Sequence, residues 1–134
     1  MWIGRMNGRV MIYLDTHVVV WLYQKDRERF SPVALDLIES RDLLISPMVM
    51  LELEYLFETD RISAKAIEIY DNLHDVIMLD TCSKSFTQVA KKAITMKWTR
   101  DPFDRLITSQ AAIDESMLLT KDSTIHTYYA NAVW

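Results

Sequence analysis

The sequence predicts an α/β fold in which a central parallel sheet carries helices on both faces. Three observations carry that prediction. Val10-Met11-Ile12-Tyr13-Leu14 is a short, unbroken apolar run of β-favouring side chains, the pattern of a strand buried on both faces. Comparable short runs recur at Leu43-Leu44-Ile45, Val76-Ile77-Met78-Leu79 and Met117-Leu118-Leu119-Thr120, with helical segments between them. Acids stand at the ends of these runs: Asp15 after the first, Asp80 after the third and Asp122 just beyond the fourth. Ligands bind such sheets in the crevice beyond the strands' carboxyl ends.

At 134 residues the chain has the size of one domain, and half of its residues are apolar. No apolar run reaches membrane-spanning length. Residues 1–9 read as an arm or leader ahead of a domain over 10–134, with Met6 and Met11 as alternative starts, and they lack the apolar centre of a signal peptide. Cys82 is the one cysteine, which excludes an intrachain disulfide and suits a reducing cytoplasm. The net charge of −4 argues against a surface coated for nucleic acid but is compatible with a local basic rim. The two glycines, Gly4 and Gly8, both precede the first strand. A Gly-rich phosphate loop is therefore absent, which excludes P-loop and dinucleotide-binding sites.

The first strand leads into a short helix over 16–23, with Asp15 and Thr16 as N-cap types. Residues 24–30 are charged and turn-like. Ser31-Pro32 then starts a helix that runs to about Ser40, with Ser as cap and Pro in the first turn. After the Leu43–Ile45 strand, Ser46-Pro47 repeats that signal and opens a helix over 48–58. Val49, Leu53, Leu56 and Phe57 form its apolar face, and Glu52 leans toward the same face. Glu54 and Glu58 share another face, expected to be solvated. A helix is expected over 63–73, a strand over 76–79 and a helix over 83–96. Asp101-Pro102 breaks the chain before a helix that opens at Phe103. The 117–120 strand, a short helix from an Asp122 cap through Tyr128, and an edge strand within 130–134 complete the order.

Asp15, Glu52, Asp104 and Asp122 are thus placed at or near strand ends, with Asp101 beside Asp104. Gathered together, such carboxylates repel one another, and a hard cation resolves the repulsion. An all-carboxylate set suits Mg²⁺ or Mn²⁺, and the matching chemistry is metal-assisted attack of water on a phosphodiester. Each residue also has a structural explanation. Asp15 and Asp122 serve equally as helix caps, Asp104 is favoured by the helix dipole and Asp101 is a common turn residue before proline. Glu52 has the weakest such explanation, because an acid beside an apolar face needs a partner. His17 reads as a packing or hydrogen-bonding residue rather than a base. Lys91, Lys92, Lys97, Arg100 and Arg105 with Trp98 read either as a phosphate-tracking, base-stacking rim or as a solvated helix end with one packed ring.

Ile12-Tyr13-Leu14-Asp15-Thr16-His17, Ile45-Ser46-Pro47 leading to Glu52-Leu53, Asp101-Pro102-Phe103-Asp104-Arg105-Leu106-Ile107 and Leu118-Leu119-Thr120-Lys121-Asp122 resemble, in order, the motifs of PIN-domain ribonucleases. The likeness is greatest to the VapC-type toxins of bacterial toxin–antitoxin pairs and spans roughly residues 10–134. It implies a three-layer α/β/α sandwich and a Mg²⁺- or Mn²⁺-dependent endoribonuclease with an acidic quartet of Asp15, Glu52, Asp104 and Asp122. Asp101 belongs to an Asp-Pro-x-Asp-Arg form of the third motif. The resemblance further implies homodimers, an RNA substrate and a small antitoxin whose C-terminal segment occupies the active-site groove. Residues 1–9 lie outside it.

Two other readings stand beside this one. A phosphoryl-transfer domain also uses strand-end aspartates, and Asp80 imitates a receiver nucleophile, but Glu52 and Asp104 would then go unexplained. A catalytically silent PIN-like module that binds RNA or protein has no evident use for four gathered acids.

Overall fold

The computed structural model describes the backbone of residues 5, 6 and 9–134 and side chains from residue 10 onward. Residues 1–4 and 7–8 of the expected arm lie outside the described residues. Arg5–Met6 forms a short strand, β1, which pairs antiparallel with the start of β2 (Arg9–Leu14). Five strands then make an all-parallel sheet in the order β4-β3-β2-β5-β6, where β3 is Asp42–Ile45, β4 Asp80–Thr81, β5 Leu118–Leu119 and β6 Ala132–Val133. The chain adds β3 and β4 on one side of β2, then crosses to add β5 and β6 on the other. The winding reverses between β2 and β5, so the ligand crevice belongs beyond their carboxyl ends.

Both faces of the sheet are covered. Successive residues Ile12, Tyr13 and Leu14 point to alternate faces and all are buried, as are Leu43, Leu44 and Ile45. Among the described residues seven helices supply the cover: α1 (Thr16–Tyr23), α2 (Pro32–Ser40), α3 (Pro47–Glu58), α4 (Ala66–Ile77), α5 (Phe86–Ile94), α6 (Pro102–Ala112) and α7 (Ser123–Tyr128). A 3₁₀ turn at Arg27–Arg29 fills the charged stretch before α2. Ser31 and Ser46 accept amide hydrogen bonds from Ala34 and Met48, the caps expected from the two Ser-Pro pairs. The Ser46 hydroxyl also donates to the buried Gln110 side chain on α6 at 2.9 Å, fastening the start of α3 to α6. No helix among the described residues is long and apolar enough to cross a membrane.

The expected strand over 76–79 is not formed. Val76 and Ile77 complete the last turn of α4, and Met78 closes it in the left-handed conformation at φ 60°. The reason is which side chains are buried: Ile69, Leu73 and Leu79 enter the core while Val76 and Met78 face solvent. The run is apolar in composition but is consumed as a helix end, and pairing starts only at Asp80. Helix α4 also begins later than expected, at Ala66, with Lys65 at the cap position making no side-chain cap bond. Its cap is Glu54, whose Oε1 accepts the Ala66 N–H at 3.1 Å, so Glu54 is an inter-helix tie rather than a solvated acid. The α5 and α6 ends shift by a few residues to the Ser85 and Asp101 caps.

Replacing Glu54 by Ala leaves the Ala66 amide without that acceptor. Urea unfolding is expected to show a loss of about 1 kcal/mol; an unchanged midpoint would show that the tie contributes nothing.

Candidate active site

The site is assembled at the switch point. Strand β2 pairs one residue beyond its end, the Asp15 N–H donating to the Leu119 carbonyl at 3.0 Å, before the chain turns into α1. Asp15 is the N-cap of α1 and accepts the Thr16 N–H on Oδ1 at 2.8 Å. Its Oδ2 accepts the Thr120 hydroxyl at 2.6 Å. Thr120 follows β5 and is fully buried, and its Oγ1 in turn accepts the Asp122 N–H at 3.1 Å. One hydroxyl thus links the ends of the two strands. Asp122 then caps α7 by accepting the Ile125 N–H at 3.0 Å.

The other acids come from α3 and α6. Glu52 is half-buried on α3 and accepts a hydrogen bond from the Thr16 hydroxyl, itself fully buried. Asp101 caps α6, its Oδ1 taking the Phe103 and Asp104 amides at 2.8 and 3.3 Å. Asp104 sits in the first turn, half-buried. Asp15, Asp101 and Asp122 therefore act as helix caps, and each is also a neighbour of the same acidic cluster. The caps of Asp101 and Asp122 engage Oδ1 and leave the second carboxylate oxygen out of the cap.

Burial first, and then the charges of neighbouring acids, raise the carboxyls of this cluster. Burial, followed by the charges of Asp101, Asp15, Asp122 and Glu52, pushes the Asp104 carboxyl up to about 7. Burial also raises Asp15. The Thr120 hydroxyl, the Thr16 amide and His17 oppose that rise, and Asp122 adds to it. Glu52 is raised by burial and by the charges of Asp15 and Asp101, and lowered by the Thr16 hydroxyl and His17. A cluster in this state favours a proton or a cation.

The donor set is all carboxylate oxygen, the chemistry of Mg²⁺ and Mn²⁺. No three His, Cys, Asp or Glu side chains among the described residues stand close enough to ligate one ion together. Mg²⁺ commonly takes one or two carboxylates and keeps several waters. The cluster suits a hydrated cation of that kind, not one enclosed by protein.

The expected basic rim has mixed roles. The Arg105 Nε donates to the Thr99 carbonyl at 2.8 Å and so pins the loop that leads into Asp101. Lys97 and Arg100 are exposed on that loop. Trp98 stacks on Tyr128 with ring centres 5.5 Å apart and donates to the Met96 sulfur at 3.4 Å. Thr120 is not among the residues the sequence marks, and Thr16 is marked there only as a helix-cap type. The available signal was position alone, one residue after Asp15 and two before Asp122. Asp80 is held apart at the start of β4, where it accepts hydrogen bonds from the Thr81 amide and the Tyr70 hydroxyl.

The PIN domain family matches residues 12–131, most of the chain. This chain belongs to the PIN domain family. A search of curated proteins finds no match. Two solved structures share the PIN architecture at low sequence identity. VapBC2 from Rickettsia felis, solved with a promoter DNA fragment, is similar with a TM-score of 0.65 at 16% identity, covering 92% of this chain and 96% of that one. A toxin–antitoxin complex from Klebsiella pneumoniae is similar with a TM-score of 0.57 at 11% identity, with the same coverage of 92% and 96%. Membership of the PIN family sets aside the receiver arrangement built on Asp80.

The raised Asp104 carboxyl has a consequence for stability. Between about pH 4 and about pH 7, without added metal, the native protein is expected to hold a proton there that the unfolded chain, near its ordinary value of 3.8, has released. The native state binds more protons over this interval, so stability is highest below about 4 for this group and falls as pH rises through about 7. Denaturation between pH 5 and 8 in EDTA is expected to show that fall in the wild type and a shallower one in Asp104→Asn. Equal slopes would remove Asp104 from the cluster.

Proposed function

We propose that this PIN domain is a metal-dependent endoribonuclease and the toxin of a toxin–antitoxin pair. The observation that carries the proposal is the convergence of Asp15, Glu52, Asp104 and Asp122, with Asp101 beside them, on Asp104 at the switch point of the sheet. In this reading the four acids hold Mg²⁺, or Mn²⁺ in its place, directly or through water, with Asp101 at the margin. Such a cation, when bound, lowers the pKa of an attacking water and stabilises charge on the leaving oxygen. The protein's own part is to fix the acids. Thr120 and the α1 amide orient Asp15, Thr16 orients Glu52, and a carboxylate of the cluster accepts the proton of the attacking water. Lys97 and Arg100 meet the substrate backbone, Arg105 holds their loop, and Trp98 stiffens it against α7.

The toxin assignment draws on the two similar structures, both of toxin–antitoxin systems. It brings an antitoxin partner, a homodimer and a cytoplasmic setting as parts of the same proposal. A catalytically silent PIN-like binding module is the second reading. It draws on the absence, among the described residues, of three acids already placed around one ion.

The test is cleavage of a mixed RNA pool by the purified protein in Mg²⁺, Mn²⁺ or EDTA, beside Asp104→Asn. Metal-dependent cleavage is expected, falling at least ~100-fold in the variant, since the lost carboxylate is one of the four that would hold the cation. Normal turnover by Asp104→Asn overturns the assignment, and binding without cleavage under both metals establishes the silent module. Metal at ten times its Kd is expected to stabilise the wild type by about 1.4 kcal/mol, a rise of about 5 °C in Tm. A melt that millimolar Mg²⁺ and Mn²⁺ leave unchanged counts against a shared cation site.

A further inference from the structure

Three threonines are fully buried among the described residues: Thr16, Thr108 and Thr120. Two of them donate their hydroxyls to acids of the cluster, Thr16 to Glu52 and Thr120 to Asp15. The third, Thr108 in the middle of α6, has a hydroxyl with no hydrogen-bond partner among the described residues. A helical threonine has a ready acceptor in the carbonyl four residues earlier. Thr59 and Thr127 use theirs, at 2.9 and 3.0 Å, whereas Thr108 makes no such bond. An idle hydroxyl at this depth is destabilising, so it calls for a partner.

One turn earlier on the same face of α6 stands a group with the opposite deficit. Asp15, Glu52, Asp101 and Asp122 each accept a hydrogen bond from a hydroxyl or an amide. The half-buried Asp104 carboxyl has no donor among the described residues. Residues four apart on a helix have Cβ atoms about 5–6 Å from each other. Helical side chains lean toward the N-terminus, so that of Thr108 leans toward the turn of Asp104. The two make no direct bond. One water with hydrogen bonds of about 2.8 Å to either side spans such a separation, and buried waters commonly join polar groups in this way.

We infer that Thr108 is a positioning residue whose hydroxyl, through one buried water, orients the Asp104 carboxyl toward the proposed cation site. Thr108 thereby does for Asp104 what Thr120 does for Asp15 and Thr16 does for Glu52. Outer partners of this kind hold metal-binding groups in the geometry a cation needs. The effect on metal binding rests on the nuclease reading above; the coupling of Thr108 to Asp104 needs no metal. Ser109 supplies an internal comparison. Its hydroxyl is equally buried and unpartnered among the described residues, but it lies on a different face of α6 from Asp104.

The test compares Thr108→Val, which keeps the shape and removes the hydroxyl, with Thr108→Ser, which keeps a hydroxyl, and with Ser109→Ala. Isothermal titration calorimetry reads the Mg²⁺ and Mn²⁺ affinities. Thr108→Val is expected to weaken binding roughly tenfold or more, with Thr108→Ser and Ser109→Ala near wild type. Urea unfolding in EDTA reads the coupling without metal. Thr108→Val is expected to lower the midpoint in the wild-type background, and that loss should disappear in Asp104→Ala, where the water has lost its second anchor. A Thr108→Val midpoint above wild type, with metal affinity unchanged, shows an idle hydroxyl and overturns the inference while leaving the nuclease standing. Equal losses of affinity in Thr108→Val and Ser109→Ala, or the same midpoint change in both Asp104 backgrounds, overturn it as well. A wild type that binds neither metal overturns the cation site, and the urea comparison then decides the role of Thr108 alone.

Discussion

The structure depends on a repulsion that it does not relieve by itself. Five carboxyl groups are drawn toward one end of the sheet, and at least three of them are held partly out of water. Burying like charges together is unfavourable unless a proton, a hydrogen-bond donor or a cation compensates. The fold supplies the donors it can. Thr120 and the α1 amide compensate Asp15, Thr16 compensates Glu52, and amides at the α6 and α7 starts compensate Asp101 and Asp122. Asp104 receives the charge of all the others, and burial together with those charges pushes its carboxyl up to about 7. That remaining imbalance is what a divalent cation would neutralise, and it is why we place metal chemistry here and not at another cluster.

The same residues serve two ends. Asp15, Asp101 and Asp122 start helices, so the positions that end a strand and begin a helix also fill the crevice. This economy has a physical basis. Helix N-termini offer amides and a positive dipole end, which hold a carboxylate in place. A carboxylate fixed by one oxygen presents the other with little conformational freedom. The β2–β5 pairing and the Ser46–Gln110 hydrogen bond set the elements that carry these acids relative to one another.

Much of this was legible in the sequence, for reasons that differ by element. The β2 run and its terminal Asp15 were legible because a strand buried on both faces has no polar interruption. Ser31-Pro32, Ser46-Pro47 and Asp101-Pro102 marked helix starts through cap chemistry that acts locally. The 76–79 run reads as a strand because short apolar stretches do not distinguish a strand from the end of an amphipathic helix, and Met78 gives no local sign of its left-handed closure. Glu54 reads as solvated because its partner, the Ala66 amide, lies beyond the turn that ends α3. The threonine hydroxyls were not legible at all: Thr120 meets Asp15 across 105 positions, and only the β2–β5 pairing creates the contact.

The central claim is that these acids share one site whose repulsion a cation relieves. It is tested most directly by a carbon-13 NMR titration of the Asp104 side-chain carboxyl, with and without saturating Mg²⁺. The account predicts a midpoint at about 7 in EDTA and a large downward displacement when Mg²⁺ is present. An ordinary carboxylate midpoint in EDTA, or a raised one that Mg²⁺ and Mn²⁺ leave in place, would contradict it.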